Sequence, residues 1–113
     1  MTTTAQNLTI WSGDYKTITV TINDEDGVAQ DITDFTATYV IANHAGDTAI
    51  ITKEVGDGIV LTTPGSGILT ITIDAEDTAT LSGIMYHELE ITDTSSKAAT
   101  AFVGALTIKA ESA

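Results

Sequence analysis

The chain is a succession of short segments in which apolar residues alternate with threonine or other polar residues. In segment 16–22, Ile18, Val20 and Ile22 fall on one face and threonines fall on the other. This period of two is typical of a β-strand with one buried face. Further strands are predicted at 49–55, 59–61, 67–73, 85–92 and 100–108, and the alternation is clearest in 67–73. Segment 35–42 is apolar on both faces, which predicts a central strand.

Turn residues separate these segments at regular intervals. Polar and glycine-containing stretches occupy 23–27, 43–47, 56–58 and 93–97, and such stretches are typical of tight connections between strands. The single proline lies in a fifth connection, 63–65. Proline at the second position and glycine at the third predict a type II turn there.

One helical turn is expected near 75–81, between two alternating segments. Asp74 can cap it with its carboxylate, and Asp77 places an acid where a helix N-terminus favours one. Gly83 can supply the left-handed residue at the exit. A strand, a capped turn and a strand are what a crossing between two layers of an all-β sandwich requires.

These elements predict an all-β fold. A chain of 113 residues holds one hydrophobic core. About seven strands with turns every eight to twelve residues indicate a single antiparallel Greek-key sandwich of immunoglobulin (Ig) type. We assign the sandwich to residues 13–110, and residues 1–12 to an N-terminal arm or a first strand.

The sequence of the last strand, 100–108, predicts where its regular pairing is interrupted. Phe102, Leu106 and Ile108 share one face, with Leu69, Ile71, Leu89 and Ile91 as further predicted core residues. Gly104 interrupts that face, so we expect a β-bulge or a close backbone approach at Gly104.

Composition narrows the possible partners. Sixteen acidic residues, four lysines and no arginine give a formal charge of −12, which disfavours binding to nucleic acid or to anionic lipid. Cysteine is absent, so disulfides and thiolate metal sites are excluded. The first residues contain neither a basic nor an apolar run, and we therefore expect neither classical secretion nor membrane insertion.

The candidates for catalysis are weak. His44 falls in a predicted loop and His87 on a strand, and we expect each to be a surface or half-buried histidine. Glu88 and Glu90 share one strand face, which we interpret as solvated. The acidic turn 23–27 departs from the calcium-loop pattern at its first and last ligand positions. We therefore predict no enzyme activity, no catalytic residue, no metal and no cofactor.

One aromatic residue invites a functional interpretation. Trp11 follows the apolar residues Leu8 and Ile10 and precedes the turn at 12–14. A large rigid aromatic can anchor a partner protein, so Leu8, Ile10 and Trp11 are the candidate partner contacts. Trp11 can also close the open end of the sandwich, and the pattern favours this second role.

The motif order resembles the N-terminal domain of phage baseplate upper proteins and related tail-fibre adaptor domains. The resemblance covers nearly the whole chain and is carried by turn and core positions. These are Gly13-Asp14, Asp26-Gly27, Asp31-Ile32-Thr33, Gly58-Ile59, Asp77-Thr78 with Leu81, and Gly104 with Leu106 and Ile108.

This chain departs from the family pattern at two places. Met85 stands where the family usually has tyrosine, with Tyr86 one residue later. Either Met85 fills the core and Tyr86 faces outward, or a bulge turns Tyr86 inward, and we favour the first arrangement. Family members often continue into a stalk or receptor-binding region, whereas this chain ends at Ala113, which is typical of an adaptor module alone.

The resemblance implies a non-enzymatic virion structural protein, a decoration or adaptor module of capsid, neck, tail or baseplate, assembled in the host cytoplasm. Its partners would be other virion structural proteins in a symmetric array, with weak association of the isolated chain and oligomers on the particle. The alternative is a carbohydrate- or receptor-binding β-sandwich, because such sandwiches also carry ligand-binding loops.

Overall fold

The computed structural model describes residues 4, 5 and 7–110, with side chains from residue 7 onward, and these residues form an all-β fold. The strands are β1 Thr4–Ala5, β2 Leu8–Trp11, β3 Lys16–Thr21, β4 Thr36–Ala42, β5 Ile51–Val55, β6 Gly58–Thr63, β7 Ile68–Ile73, β8 Gly83–Thr92 and β9 Ala98–Lys109. A 3-10 turn, Pro64–Ser66, precedes β7, and a short helix α1, Ala75–Thr78, follows it.

The strands run in the order β1, β9, β8, β4, β5, β6, β7, β3, and β2 also pairs with β9. Strands β5 and β6 are joined only through the pairs Glu54–Gly58 and Val55–Ile59, so the sheet folds there into two layers. One layer contains β9, β8 and β4, and the other contains β6, β7 and β3. This is the strand arrangement of an Ig-like Greek-key sandwich, and the predicted fold class is confirmed.

The first strands lie at the edge of the β9 layer. Residues Leu8 to Trp11 pair in parallel with Leu106 to Lys109, and β1 pairs in parallel with β9 further along. Between the two strands, the Asn7 side chain accepts a hydrogen bond from the Ala105 amide at 3.0 Å. Residues 8–11 are therefore a strand of the sandwich, while residues 1–3 and 6 of the proposed arm lie outside the described part of the chain.

The core lies between the layers and is built from the alternating apolar positions. Threonine dominates the opposite face of β3 and β7, where its branched side chain favours an extended backbone. The largest fully buried side chains are Tyr39, Phe102, Ile32, Ile41, Ile59, Leu69, Ile71, Ile73, Leu89, Ile91, Leu106 and Ile108. Met85 is also buried and Tyr86 is partly exposed, so methionine occupies the core position, as predicted.

The helical turn starts after Asp74, as its sequence indicates, but it ends at Thr78 and is shorter than the predicted turn near 75–81. Asp74 has an extended backbone, and its amide donates to the Asp77 carboxylate at 2.8 Å. The same carboxylate lies 2.8 Å from Lys53 Nζ in a largely buried ion pair. Gly83 adopts a φ of 103° at the start of β8. The ion pair therefore links the helical turn, which follows β7, to strand β5, the neighbour of β4 in the strand order.

Two details of the chain course differ from prediction. The register of β8 and β9 shifts between Leu89–Phe102 and Glu90–Thr100, so the bulge lies at Ala101 and not at Gly104, which pairs regularly with His87. A bulge at Ala101 lets Ala101 and Phe102 both be buried. The predicted type II turn at 63–65 is also wrong, because Pro64 opens a 3-10 turn.

The residue with positive φ is Gly67, which caps the C-terminal end of the 3-10 turn, rather than Gly65. Its amide donates to the Pro64 carbonyl at 3.0 Å. The Pro64 carbonyl also accepts the Ile32 amide at 2.9 Å, so the turn holds the buried segment around Ile32 against the start of β7.

Candidate interaction site

Residues 8–12 bring the predicted partner contacts into three different environments. Ile10 is buried in the core, Leu8 is half-buried, and Trp11 remains 48% exposed. The interpretation of Trp11 as a core residue is wrong, because β2 is an edge strand and its alternation turns Trp11 to the outer face. Ile10 is unavailable to a partner for the same reason.

An apolar patch surrounds Trp11 on the outer face of the β9 layer. Ile84 is 75% exposed. It lies across from Thr107, and Lys109 lies across from Trp11. Lys109 Nζ is 5.5 Å from the centroid of the indole ring, a cation–π distance. We call Trp11, Ile84, Thr107 and Lys109 the outer patch.

The connection after Trp11 is held firmly by the helical turn. Ser12 is buried, and its hydroxyl donates to the Thr78 carbonyl at 2.8 Å. The Gly13 amide donates to the Thr78 hydroxyl at 3.0 Å, and the Ser12 amide to the Lys109 carbonyl at 2.8 Å. Trp11 is thus presented from an ordered backbone, which lowers the entropy lost on binding.

A second feature is a groove of about 500 Å³ between the two ends of the strand order. Its apolar lining comes from β2, β3 and β9, with His87 of β8 at its base. We call it the open groove, and its apolar side chains are Leu8, Ile18, Val20, Ile22, Ala101 and Phe102. The volume falls in the range of sites that bind ligands or peptide side chains.

The base of the open groove contains a polar pair beneath the apolar lining. Tyr39 Oη and His87 Nδ1 are hydrogen-bonded at 2.9 Å, and both residues are buried. The Phe102 ring packs on both, with centroid distances of 6.1 Å to Tyr39 and 5.1 Å to His87. Burial raises the pKa of the Tyr39 hydroxyl, because the phenolate would lose its hydration.

His87 therefore differs from its prediction as a surface or half-buried residue. It is 1% exposed, because the inward face of β8 runs through Met85, His87 and Leu89. His44 is exposed, and its Nδ1 lies 3.2 Å from the Asp47 carboxylate. The two histidines are thus not brought into one site.

The acidic candidates are used in local hydrogen bonds. Asp24 Oδ1 accepts the Asp26 amide at 2.9 Å and the Val28 amide at 3.0 Å, the geometry of an Asx-stabilised turn. Glu88 accepts the Tyr86 hydroxyl at 2.8 Å. Within residues 4–5 and 7–110, no three histidine or acidic side chains are grouped so as to hold a metal ion.

Sequence reasoning missed Ile84 and the half-exposed Ile18 and Val20. A signal for Ile84 was present, because placing Met85 in the core turns its neighbour Ile84 outward. No local signal distinguishes Ile18 or Val20 from a buried strand residue, since their exposure depends on which strand lies beyond β3.

Comparisons with known proteins do not assign a family. No protein-family profile matches the chain, and no curated protein is significantly similar to it. Among solved structures, it is similar to AggA, the major subunit of aggregative adherence fimbriae type I from Escherichia coli. The identity is 12%, the match covers 91% of this chain and 89% of AggA, and the TM-score is 0.33.

Proposed function

We propose that the chain is a non-enzymatic structural protein of a phage virion, an Ig-like decoration or adaptor module of capsid, neck, tail or baseplate. It would be assembled in the host cytoplasm and reside in the virion. The motif resemblance motivates this proposal, and the outer patch is the observation that carries it. Its partners would be other virion structural proteins.

The outer patch has the chemistry of a small protein-binding site. Trp11 on β2 and Ile84 on β8 are both exposed, and the two strands flank β9. Aromatic side chains contribute most to binding energy in protein interfaces. The Lys109 ammonium lies over the indole, so a partner would meet an apolar centre with a polar margin.

A single patch of this size supports only weak binding. Specific interfaces that are stable on their own bury about 1,200 to 2,000 Å², far more than a few side chains supply. Symmetric arrays multiply weak contacts into firm retention. We therefore expect weak self-association of the isolated chain and stable incorporation only on the particle.

The charge distribution is consistent with protein partners rather than nucleic acid or lipid. The formal charge is −12, and Lys53, one of the four lysines, is neutralised by its ion pair with Asp77. No helix in the described part of the chain is long and apolar enough to cross a membrane.

A carbohydrate- or receptor-binding module is the second candidate. Tyr15 is 66% exposed, and it lies in the connection between β2 and β3, four residues after the partly exposed Trp11. Exposed aromatic rings are the groups on which sugar rings stack. A glycan array probed with the wild-type chain and with Tyr15→Ala examines this alternative.

Mass spectrometry of purified particles tests the structural proposal. We expect the chain in virions, and we expect Trp11→Ala to lower its incorporation by about tenfold or more, because hot-spot aromatics carry most of the binding energy. Val60→Ala is the matched control, since Val60 is 63% exposed but lies on β6 of the other layer. Absence from particles would overturn the proposal and put the ligand-binding alternative first.

A further inference from the structure

Strand β3 is paired along one edge only by the strands that the structure describes. It pairs with β7 from Lys16 to Thr21, and among the described residues no strand lies on its other side. In an Ig sandwich the first strand of the chain usually pairs with the strand that corresponds to β3 here. In this chain the N-terminal strands β1 and β2 pair with β9 instead. The outward amides and carbonyls of β3 are therefore available to another strand.

The open groove runs beside that edge. Ile18 and Val20 turn toward it and are only partly buried, whereas their cross-strand partners Ile71 and Leu69 are fully buried. Phe102 and Ala101 form its base from the opposite layer. An added strand would therefore find backbone partners along β3 and apolar contacts for every second side chain.

The acidic turn 23–27 lies at one end of the groove. Asn23 and Gly27 line the groove, and Asp24, Glu25 and Asp26 stand between them. A basic residue in the bound segment would be attracted to this end. The charge also disfavours a second copy of this chain as the occupant, because two molecules of formal charge −12 repel each other.

We propose that the open groove binds one extended segment of another virion protein, which adds antiparallel to β3. Its alternate apolar side chains enter the groove, and a lysine or arginine at its N-terminal end lies near turn 23–27. The antiparallel direction follows the pairing of β3 with β7 and the general preference for antiparallel pairs. This inference rests on the proposed structural role and identifies a partner element for it.

A synthetic peptide probes the groove without the natural partner. It has about eight residues, with lysines at the N-terminal end followed by alternating valine and threonine. Titration into the isotope-labelled chain, followed by amide NMR shifts and hydrogen exchange, should perturb and protect the β3 amides. The same peptide N-methylated at the residues that face β3 lacks the donors for the ladder and should not bind.

A second control peptide carries its lysines at the C-terminal end. Its affinity should fall by about threefold or more, because the basic residues then lie away from turn 23–27. Equal affinity would exclude the proposed orientation, and tighter binding would reverse it.

Two protein variants separate the groove from the rest of β3. Val20→Lys places a charge in the apolar groove and should weaken peptide binding by about tenfold or more. Thr17→Lys lies on the exposed outward face of the same strand and outside the groove lining, and it should leave affinity within about twofold. Circular dichroism and melting temperature check that both variants remain folded.

Several results would overturn the inference. They are equal binding of the N-methylated peptide, equal loss in both variants, or absence of any β3 perturbation at millimolar peptide. A change of oligomeric state in Val20→Lys alone would identify a second copy as the occupant instead. If Val20→Lys enters virions normally while Trp11→Ala does not, the structural role stands and the groove proposal fails.

Discussion

Strands β3 and β7 are neighbours with almost the same sequence pattern, yet they differ in burial. Both alternate threonine with aliphatic residues, and they pair in register with Ile18 opposite Ile71 and Val20 opposite Leu69. Leu69, Ile71 and Ile73 of β7 are fully buried, whereas Ile18 and Val20 are half-buried.

The difference comes from what lies beyond each strand. Strand β7 is flanked by β6 on one side and β3 on the other, whereas β3 ends the strand order in the described part of the chain. An apolar side chain on an edge strand is covered from one side only. The comparison shows that the alternating pattern identifies the inward face, while the neighbouring strand decides how far that face is buried.

The largest loss of stability is expected for a substitution at Phe102, at the base of the open groove. It tests whether this part of the core is packed as tightly as the side chains of β7. Phe102 is fully buried and contacts the rings of Tyr39 and His87. Phe102→Ala should lower the free energy of unfolding by about 3 to 5 kcal/mol through lost transfer energy and a cavity. Urea denaturation measures it. A loss below about 1 kcal/mol would mean that the groove side of the core is loose.

A matched pair of substitutions tests the comparison directly. Ile71→Ala should cost about 2 to 5 kcal/mol, because Ile71 is fully buried. Ile18→Ala removes the same atoms from the half-buried partner position and should cost about 1 to 2 kcal/mol. Equal losses of unfolding free energy would show that Ile18 is covered as completely as Ile71.

The start of β7 offers a backbone test. Gly67 has a φ of 72°, and a Cβ there would lie 2.5 Å from the Ile22 carbonyl oxygen and 2.6 Å from that of Gln30. Gly67→Ala should cost about 1 to 3 kcal/mol. Gly65→Ala, which meets nothing within 4 Å, is the control. A neutral Gly67→Ala would mean that this junction of β3 and β7 yields easily.

The Tyr39–His87 pair extends the comparison to a polar contact under the groove. Tyr39→Phe removes the hydroxyl at 2.9 Å from His87 Nδ1, and we expect a loss of about 1 to 2 kcal/mol in unfolding free energy. A loss near zero, measured by urea denaturation at neutral pH, would show that this hydrogen bond contributes little.

The same variant isolates a pH effect. Burial raises the pKa of Tyr39 above its ordinary value of 10.0. In the folded state Tyr39 keeps its proton at a pH where the unfolded chain releases it, so its contribution is full below about pH 10 and falls above that. The difference in unfolding free energy between wild type and Tyr39→Phe should shrink between about pH 9.5 and 11. A constant difference would contradict the burial.

The smallest change in unfolding free energy is expected for a substitution on the outward face of β3. Thr19 on β3 is exposed, and Thr19→Ala should change the free energy of unfolding by no more than about 0.5 kcal/mol. The same urea measurement applies. A larger loss would indicate that the outer face of β3 makes contacts that its exposure does not show.

Much of the fold was predictable because it depends on local chemistry. The alternation in 67–73 and 85–92, the helical turn at Asp74 to Asp77 and the left-handed Gly83 each follow from neighbouring residues. The bulge was placed wrongly because Gly104 is locally the weakest strand residue. The register shift at Ala101 arises from fitting two successive residues into the core beside β8.

The interaction site was predictable only in part. Trp11 was identified as a candidate from its residue type, but its exposure depends on β2 being at the edge of the β9 layer. His87 was interpreted as a surface or half-buried residue, although its strand face also carries Met85 and Leu89. Its burial is tolerated because Tyr39, far away in sequence, supplies a hydrogen-bond partner.

By itself, the sequence determined the all-β class, the alternation of strand faces, the positions of the turns and the excess of negative charge. These properties follow from the period of side chains along an extended backbone and from residue type. The tertiary structure alone decided that β1 and β2 pair with β9, so that no described strand pairs with the edge of β3 beside the apolar groove. Contacts between distant parts of the chain determine which strands are neighbours. The Thr-Ile-Thr segments of β3 and β7 are identical, so their sequence does not indicate that the two strands have different neighbours.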